Sequence, residues 1–357
     1  MTGDAPVTPA SDLFAAARAV LAEGLDQRAY PAAVIEVGRR DSVLWREAFG
    51  RLTYDPDARP TVPNTVFDLA SLTKVIATAS LAMRAVEAGH LTLETPVADL
   101  VGGWVGGDRA AVTVRHLLDH SSGLPARVRL WETGKGRDAF ERGIVGTPLD
   151  YAPGSRSIYS DLDFILLGFV LEDVNDAPID AQFASLAAAL GEEIGYQPAA
   201  SLMDRIAPTE HDPSRGRALQ GEVHDENAAA LDGVAGHAGV FGTAAAVGAF
   251  ARLVMQTFAG RTSLAAPATM RAFAARTGVP ESSRALGWDT MLPTSSCGAR
   301  MSKAAIGHTG FTGTSLWIDP ENDRYVVLLT NRVHPTRANE ALLKLRPRLH
   351  DAVMSAG

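Results

Sequence analysis

The chain is poor in cysteine and lysine. Among its 357 residues there are one cysteine, Cys297, and four lysines, against 29 arginines. A single cysteine excludes an internal disulfide and any zinc or iron–sulfur site that needs several cysteines. Arginine keeps its proton near neutral pH, whereas a lysine can act as a general base. Each of the few lysines is therefore a candidate for chemistry.

Long apolar runs and clusters of positive charge are also missing. The longest apolar stretches, such as residues 164–171, are far shorter than the roughly 20 residues of a membrane helix. The net charge is −8, from 33 basic and 41 acidic side chains, and no basic stripe would attract nucleic acid. The sequence therefore predicts no membrane span and no nucleic-acid partner, and it favours a small-molecule substrate.

The first ten residues do not have the pattern of a secretory signal. They contain Asp4 and two prolines instead of a basic segment followed by an apolar run. We therefore expect a cytoplasmic protein. The sequence leaves the oligomeric state open.

Strand patterns lie near both ends of the chain, and helical patterns lie between them. Strands are predicted at 33–37, 42–49, 285–292, 304–308, 312–319 and 324–331, the first two as an antiparallel hairpin. Helices are predicted at 11–24, 71–89, 112–120, 161–174, 243–258 and 336–354. We expect a sheet domain built from residues 1–75 and 221–357 and a mostly helical lobe at 76–220. The cleft between them is the natural place for a site.

The first candidate for chemistry is the pair Ser71 and Lys74 at the start of the predicted helix 71–89. Residues three apart share a helix face, so the hydroxyl and the amine can meet. Serine is a weak nucleophile until a base takes its proton, and a desolvated lysine can be that base. A helix N-terminus also favours negative charge on the serine oxygen. Alone, the pair could equally be an N-cap serine and a surface lysine.

Two further segments contain groups of the right kind. Tyr159 precedes Asp161 by two residues, and a lysine ammonium nearby can lower the proton affinity of a tyrosine, which makes it a proton carrier. Near the C-terminus, His308, Thr309 and Gly310 lie on a predicted strand whose glycines indicate close backbone approach. Taken singly, these segments could be a helix cap with a half-buried aromatic ring and an edge strand with an incidental histidine.

Together and in this order, Ser-x-x-Lys, Tyr-x-Asp and His-Thr-Gly resemble the serine β-lactamase superfamily. The branch it is similar to holds class C β-lactamases, D-alanyl-D-alanine carboxypeptidases and family VIII esterases. The resemblance extends to residues 66–70, 114–125 and 233–241, and it covers about 13–353. It implies an α+β fold of the β-lactamase/transpeptidase type, with a mainly antiparallel sheet flanked by helices and an all-helical lobe.

The resemblance also implies roles for these residues. Ser71 is the nucleophile that becomes acylated, and Lys74 and Tyr159 share the proton transfer. The backbone N–H groups of Ser71 and Phe311 hold the oxyanion. The implied reaction is that of a serine hydrolase acting on a small ester or amide.

This chain departs from the family pattern at two positions. Asp161 stands where β-lactam-hydrolysing relatives usually have Asn, and its charge would keep Lys74 protonated and leave more of the proton transfer to Tyr159. His308 replaces a lysine that binds the carboxylate of penicillins and D-alanyl peptides, and a histidine titrates within the working pH range. The histidine at position 308, together with the missing signal pattern, favours an esterase.

Other functions stay open at this point: a β-lactamase or D-alanyl-D-alanine carboxypeptidase, a transacylase, or a binding protein that kept the fold without turnover. No cofactor is expected, because Gly-x-Gly-x-x-Gly and Gly-x-x-x-x-Gly-Lys-Ser/Thr are absent, as is the Gly-x-Ser-x-Gly of α/β-hydrolases. His116 with His120, and His224 and His237 with their acidic neighbours, could suggest a metal. No His-Glu-x-x-His accompanies them, so structural hydrogen bonding is favoured and no metal is expected.

Overall fold

A computed structural model describes residues 13–191, 193–261 and 264–356. Its α-helices are α1 Ala15–Asp26, α2 Ser80–Glu87, α3 Val114–Leu118, α4 Arg137–Val145, α5 Asp161–Asn175, α6 Ile179–Leu190, α7 Glu226–Ala230, α8 Ala244–Phe258, α9 Pro267–Ala274 and α10 Ala341–Met354. Its strands are β1 Ala32–Arg39, β2 Ser42–Gly50, β3 Phe67–Asp68, β4 Ile194–Tyr196, β5 His211–Asp212, β6 Arg217–Ala218, β7 Val240–Gly242, β8 Asp289–Thr290, β9 Ile306–Thr309, β10 Ser315–Asp319 and β11 Arg324–Thr330. A π-helical segment, Lys74–Ala79, leads into α2, and short 3₁₀ helices lie at Val97–Asp99, Leu130–Glu132 and Ala200–Arg205.

Strands from both ends of the chain form one antiparallel sheet in the order β2-β1-β11-β10-β9-β8. β1 pairs with β2 as the predicted hairpin, and the turn after Asp319 joins β10 to β11. In this sheet β9, which contains His308, lies between β10 and β8. The division into two lobes at residues 76 and 220 stays a prediction.

The sheet is covered on both faces, which explains why β1 is apolar at most positions; its one buried carboxylate, Glu36, is paired with Arg46 and Arg252. Ala33, Ile35 and Val37 belong to the core under α1 and α10. Ala32 and Val34 point to the opposite face, where the larger core includes residues of α8. Successive side chains of a strand alternate between faces, so a strand buried on both sides has to be apolar at consecutive positions.

Several predicted elements differ from those in the structure. The strand predicted at 285–292 is reduced to β8, because the preceding residues turn towards the helices: Gly287 donates its N–H to Leu118 O and Leu286 donates to Phe273 O. The closing helix begins at Ala341, not at residue 336. The structure adds β4 and α9, which the sequence patterns did not indicate. The first helix begins at Ala15; the predicted caps Ser11 and Asp12 lie outside the described residues.

The helix predicted at 71–89 is present but irregular. It has a π-helical segment before α2, and the Ser80 hydroxyl donates to the carbonyl of Val75, five residues earlier. Such insertions are frequent at functional sites. Within the described ranges, no helix combines the length and hydropathy that a membrane crossing requires.

Candidate active site

The turn that carries Ser71 brings its hydroxyl against Lys74. Ala70, directly before Ser71, has φ 47°, a left-handed conformation that a non-glycine residue rarely adopts. The N–H groups of Leu72, Thr73 and Lys74 each bond to the carbonyl three residues earlier. In such a 3₁₀ turn the side chains of residues three apart eclipse, so Lys74 Nζ comes within 3.2 Å of Ser71 Oγ.

Lys74 is fully buried and uses all three of its donors. Besides Ser71 Oγ, its Nζ donates to Asp161 Oδ1 at 2.8 Å and to the backbone carbonyl of His237 at 3.1 Å. Burial alone would lower the pKa of the Lys74 ammonium, but the charges and hydrogen bonds of Asp161 and Tyr159 together outweigh it, and the pKa is raised. Lys74 is therefore a cation in the resting enzyme, as the sequence predicts from Asp161.

Asp161 is the first residue of α5, so helix formation fixes the position of its carboxylate. The Asp161 N–H donates to Ala126 O at 3.1 Å, and the hydroxyl of the preceding Ser160 donates to Pro125 O. The segment before α5 is thereby tied to the loop at Pro125 and Ala126. This arrangement directs Asp161 to Lys74 instead of leaving it as a simple helix cap.

Tyr159 lies between two cations. Lys74 Nζ is 4.8 Å from the centre of its ring, and the guanidinium carbon of Arg284 is 5.0 Å from it. Burial raises the pKa of the Tyr159 hydroxyl, and the charge of Lys74 lowers it only in part. Lys74 does lower the proton affinity of Tyr159, as the sequence predicts, but desolvation is the larger effect and the pKa is raised. Tyr159 is a neutral phenol at rest.

The strand that carries His308 is joined to the Ser71 turn. The hydroxyls of Thr312 and Thr314 donate to Asp68 O at 2.8 Å and to Leu69 O at 3.0 Å. Gly310 packs so closely that a Cβ there would lie 2.6 Å from Leu69 O. Close approach at a glycine, as the sequence indicates, is what this contact requires.

Two backbone donors beside Ser71 are free for an oxyanion. In the described part of the chain, neither the Ser71 N–H nor the Phe311 N–H donates to another protein group. Thr309, the last residue of β9, is half-buried and leads into this turn. Two unpaired N–H groups of this kind can hold the oxyanion of a tetrahedral intermediate.

His308 is neutral and not a replacement cation. Its Nδ1–H donates to Thr309 O at 2.9 Å, while its buried Nε2 has no hydrogen-bond partner. Burial and the nearby charges of Arg284 and Lys74 hold the pKa of His308 well below its usual value. The expectation that this histidine titrates in the working range is therefore wrong. His308 offers a hydrogen-bond acceptor, 5.7 Å from Tyr159 between ring centres.

A buried polar network that includes His120 and Asp163 packs against the Tyr159 ring. The ring of His120 is 4.7 Å from that of Tyr159, and its Nδ1 is 3.2 Å from Asp163 Oδ2. Burial raises the pKa of Asp163 well above its usual value, and the Ser122 hydroxyl donates to its other oxygen. His120 has a left-handed backbone conformation, with φ 59°. The sequence analysis proposed a structural role for His120 but did not single out Asp163.

His224 and His237 also make hydrogen bonds beside the cleft. His237 Nε2 donates to Asp225 Oδ1 at 2.7 Å, and His224 Nε2 donates to Glu210 at 2.9 Å. The His224 ring stacks on Phe311 with centres 5.6 Å apart. This matches the interpretation of these residues as a hydrogen-bonded loop.

The predicted residues therefore converge. A cavity of about 470 Å³ is lined by Ser71, Tyr159 and the segment from His308 to Phe311. Lys74 is fully buried next to it, and its partner Asp161 is partly exposed. The sequence analysis missed the arginines of the same cavity, which are Arg284, Arg332, Arg337 and Arg346. Their local sequence carries no motif, so only the fold could bring them together. The catalytic roles stay predictions.

An antiparallel sheet covered by helices, with Ser-x-x-Lys at the start of a helix, defines a serine hydrolase of the β-lactamase fold. The chain matches the beta-lactamase family over residues 17–347, and it belongs to that family. An Escherichia coli (strain K12) protein named D-alanyl-D-alanine carboxypeptidase is 31% identical over 85% of this chain and 79% of its own length. The family and the fold class predicted from the motifs are confirmed.

Solved structures show the same fold. EstCE1, a hydrolase with promiscuous acyltransferase activity, has a TM-score of 0.77 at 22% identity and covers 97% of this chain and 99% of its own. A penicillin-binding protein homologue from Caulobacter crescentus has a TM-score of 0.77 at 22% identity and covers 100% and 99%. At these identities the likeness concerns the fold.

Proposed function

We propose that the protein hydrolyses small-molecule esters through an acyl-enzyme on Ser71. The observation that supports this proposal is the neutral state of His308. By the motif resemblance, His308 stands where β-lactam-hydrolysing relatives have a lysine that binds the substrate carboxylate. Without that cation, the His308 strand offers no charge to the carboxylate of a penicillin or a D-alanyl peptide. An ester needs only the nucleophile, the oxyanion donors and a proton path.

The proton path runs through Tyr159, because Lys74 already holds its proton. Ser71 Oγ attacks the ester carbonyl and passes its proton to the Tyr159 oxygen as Tyr159 gives its own to the departing alkoxide. The Lys74 ammonium stabilises negative charge that develops on the phenol oxygen and on Ser71 Oγ. The N–H groups of Ser71 and Phe311 hold the oxyanion. Water then attacks the acyl-enzyme along the reverse path and releases the acid.

A D-alanyl-D-alanine carboxypeptidase is the second candidate. It is favoured by the Escherichia coli relative, which bears that name at 31% identity. A transacylase would use the same acyl-enzyme with an alcohol or amine in place of water. A β-lactamase and a binding protein without turnover complete the alternatives.

A substrate panel on the wild type and on Ser71→Ala tests the proposal. The panel holds 4-nitrophenyl acetate and butyrate, nitrocefin, and a peptide ending in D-alanyl-D-alanine. We expect ester turnover at least tenfold above that of nitrocefin and of the peptide, with loss of turnover in Ser71→Ala. Ser155→Ala, which removes an exposed serine hydroxyl, is the matched control.

Intact-protein mass spectrometry after treatment with a fluorophosphonate supplies a second reading. One adduct on the wild type and none on Ser71→Ala is expected. Rapid nitrocefin or peptide turnover with negligible ester cleavage would reverse the assignment, and a wild type without adduct would favour the binding protein.

A further inference from the structure

His120 contacts Tyr159 and both of its neighbours in the chain. The backbone carbonyl of His120 accepts the Ile158 N–H at 3.0 Å, and its ring nitrogen Nδ1 accepts the Ser160 N–H at 3.2 Å. These are the residues directly before and after Tyr159. The His120 ring also packs on the Tyr159 ring, with ring centres 4.7 Å apart. One residue therefore fixes both the backbone and the ring of Tyr159, and with them the place of its hydroxyl.

The backbone of His120 has an unfavourable conformation. Its φ of 59° lies in the left-handed region that a residue with a Cβ rarely adopts. Such residues persist where the surrounding structure holds them in place, and they concentrate at functional sites. His120 is fully buried, and its carbonyl also accepts the Tyr151 hydroxyl at 3.1 Å. The surroundings therefore determine the position of His120 closely.

The contacts of Nδ1 determine which ring nitrogen of His120 holds the proton. A backbone N–H can only donate, so the hydrogen bond from Ser160 requires a lone pair on Nδ1. In a neutral ring the proton then lies on Nε2. Asp163 Oδ2 is 3.2 Å from the same Nδ1. An ionised Oδ2 would face that lone pair, whereas a protonated Oδ2 can donate to it.

The other oxygen of Asp163 is an acceptor. The Leu124 N–H donates to Ser122 Oγ at 3.0 Å, and the Ser122 hydroxyl donates its own proton to Asp163 Oδ1. Oδ2 is therefore the oxygen that is left to hold a proton. Burial raises the pKa of Asp163 well above its usual value, and the charges of Asp119 and Asp161 raise it further. Asp163 is a neutral carboxylic acid.

His120 is neutral as well. Burial and the nearby charges of Arg284 and Lys74 hold the pKa of His120 well below its usual value. An imidazolium paired with a carboxylate would also need a proton on Nδ1, and that proton would point at the Ser160 N–H. The pair is therefore uncharged, with Asp163 as the donor and His120 Nδ1 as the acceptor.

We propose that His120 is a positioning residue for Tyr159 in ester hydrolysis, and that Asp163, as a neutral acid, fixes the tautomer of His120. This inference rests on the proposed function, because it concerns the proton transfer through Tyr159. Neither His120 nor Asp163 lines the cavity that contains Ser71, so their effect is on kcat and not on KM. Asn can replace a neutral acid at position 163, because its amide donates to Nδ1 and its carbonyl accepts from Ser122.

Two substitutions of Asp163 test the proposal by turnover of 4-nitrophenyl acetate. Asp163→Asn should keep kcat within threefold of the wild type. Asp163→Leu has a similar size but removes both hydrogen bonds, so kcat should fall at least tenfold while KM changes less than threefold. Rates are expressed per molecule that forms the fluorophosphonate adduct, so unfolded protein does not contribute. A wild-type kcat in Asp163→Leu, or equal losses in the two variants, would overturn the proposal.

Asp319→Asn is the matched control. Asp319 is a buried carboxyl at the end of β10, and both of its oxygens accept hydrogen bonds from Ser302 and Asn322. An amide there sets a donor against donors, so Asp319→Asn should lower Tm and keep kcat. Asp163→Asn should keep both. An equal fall of Tm in the two variants would show that Asp163 is a carboxylate, contrary to the proposal.

Spectroscopy tests the protonation states without turnover. The infrared difference spectrum of wild type minus Asp163→Asn at pH 7 should show the C=O stretch of a protonated carboxylic acid. In ¹H–¹⁵N spectra of the histidine-labelled protein, the signals that His120→Asn removes should place the proton on Nε2; Asn tolerates the left-handed backbone at this position. If no ester is cleaved, the esterase function fails, and the rate of adduct formation on Ser71 replaces kcat in the comparison of the Asp163 variants. A carboxylate band at Asp163 or a proton on His120 Nδ1 would refute the proposal whatever the activity.

Discussion

Lys74 Nζ and Asp161 Oδ1 are 2.8 Å apart in a site where the lysine side chain is fully buried. A lone buried lysine would lose its proton readily, but one paired with a carboxylate keeps it. In the proposed mechanism the pair therefore makes Lys74 an electrostatic group that stabilises negative charge, and it leaves the proton transfer to Tyr159.

The Asp161→Asn variant should shift the pH dependence of ester hydrolysis. Without the carboxylate, burial dominates and the pKa of Lys74 falls. In the proposed mechanism the ammonium is required, so activity is lost as pH rises through that pKa. The alkaline limb of the kcat/KM profile should move to lower pH, with activity at pH 8 reduced about tenfold to a hundredfold.

Asp173→Asn, on the same helix but in an ion pair with Arg137, is the control and should keep the wild-type profile. A shift of the acid limb to lower pH, with higher activity at pH 6, would instead show that neutral Lys74 is the base. An unchanged profile would remove Asp161 from the mechanism altogether.

Gly310→Ala should inactivate the enzyme while leaving most of its stability. The added Cβ would lie 2.1 Å from Thr314 Oγ1 and 2.6 Å from Leu69 O, so the His308 strand has to move away from the Ser71 turn. That movement displaces the Phe311 N–H, and loss of one oxyanion donor reduces kcat about a hundredfold to a thousandfold. Steady-state kinetics and thermal unfolding measure the two effects.

Gly107→Ala is the matched control, since a Cβ at Gly107 meets nothing within 4 Å. Its kcat should equal that of the wild type. Full activity in Gly310→Ala would mean that the close contact has no part in forming the oxyanion site.

His308→Gln should leave the shape of the pH profile between pH 5 and 9 unchanged. The pKa of His308 lies well below its usual value because of burial and the charges of Arg284 and Lys74, so the wild-type ring does not titrate in this range. Gln keeps a hydrogen-bond acceptor at a similar position and does not titrate. Any loss of rate should therefore be a roughly constant factor across this pH range. Disappearance of an acid limb near pH 6.5 in the variant would show that the ring does titrate.

The order of the motifs was sufficient to predict the family, the sheet and the convergence of Ser71, Tyr159 and His308. Ser71 and Lys74 are three residues apart, and local geometry alone brings them together. The protonation states were harder to predict. Burial decides whether the pKa of Tyr159 is raised or lowered, and the sequence near Tyr159 does not show that the side chain is fully buried.

Arg346 illustrates what could not be predicted. It is one of 29 arginines, and its neighbours Leu345 and Pro347 give no sign that it is buried at a cavity wall. It lines the same cavity as Ser71, which lies 275 positions earlier in the chain. The late start of α10 has a similar origin. Arg332 Nη1 donates to Asn339 O, and the Arg337 N–H donates to Glu210 Oε1, so residues 336–340 are held outside the helix. The local sequence of residues 336–340 does not indicate these partners.

Glu210 should make the protein sensitive to acid. It is 4% exposed and accepts hydrogen bonds from His224 Nε2 at 2.9 Å and from the Arg337 side chain at 2.5 Å. Burial alone would raise the pKa of Glu210, but these hydrogen bonds lower it to about 2. Because the folded pKa lies below that of the unfolded chain, the stabilisation is complete above about pH 4.5 and disappears as pH falls towards 2.

This pKa difference corresponds to roughly 3 kcal/mol of unfolding free energy at neutral pH. Glu210→Gln should therefore unfold at lower urea concentration than the wild type at pH 6, and the difference between the two should shrink as the pH approaches 2. Glu94→Gln, which breaks the exposed pair with Arg115, should change stability by less than about 1 kcal/mol at any pH. A Glu210→Gln difference that stays constant from pH 6 to pH 3 would show that the loss comes from packing and not from the charge of Glu210, because only the charged form gains from Arg337 and His224.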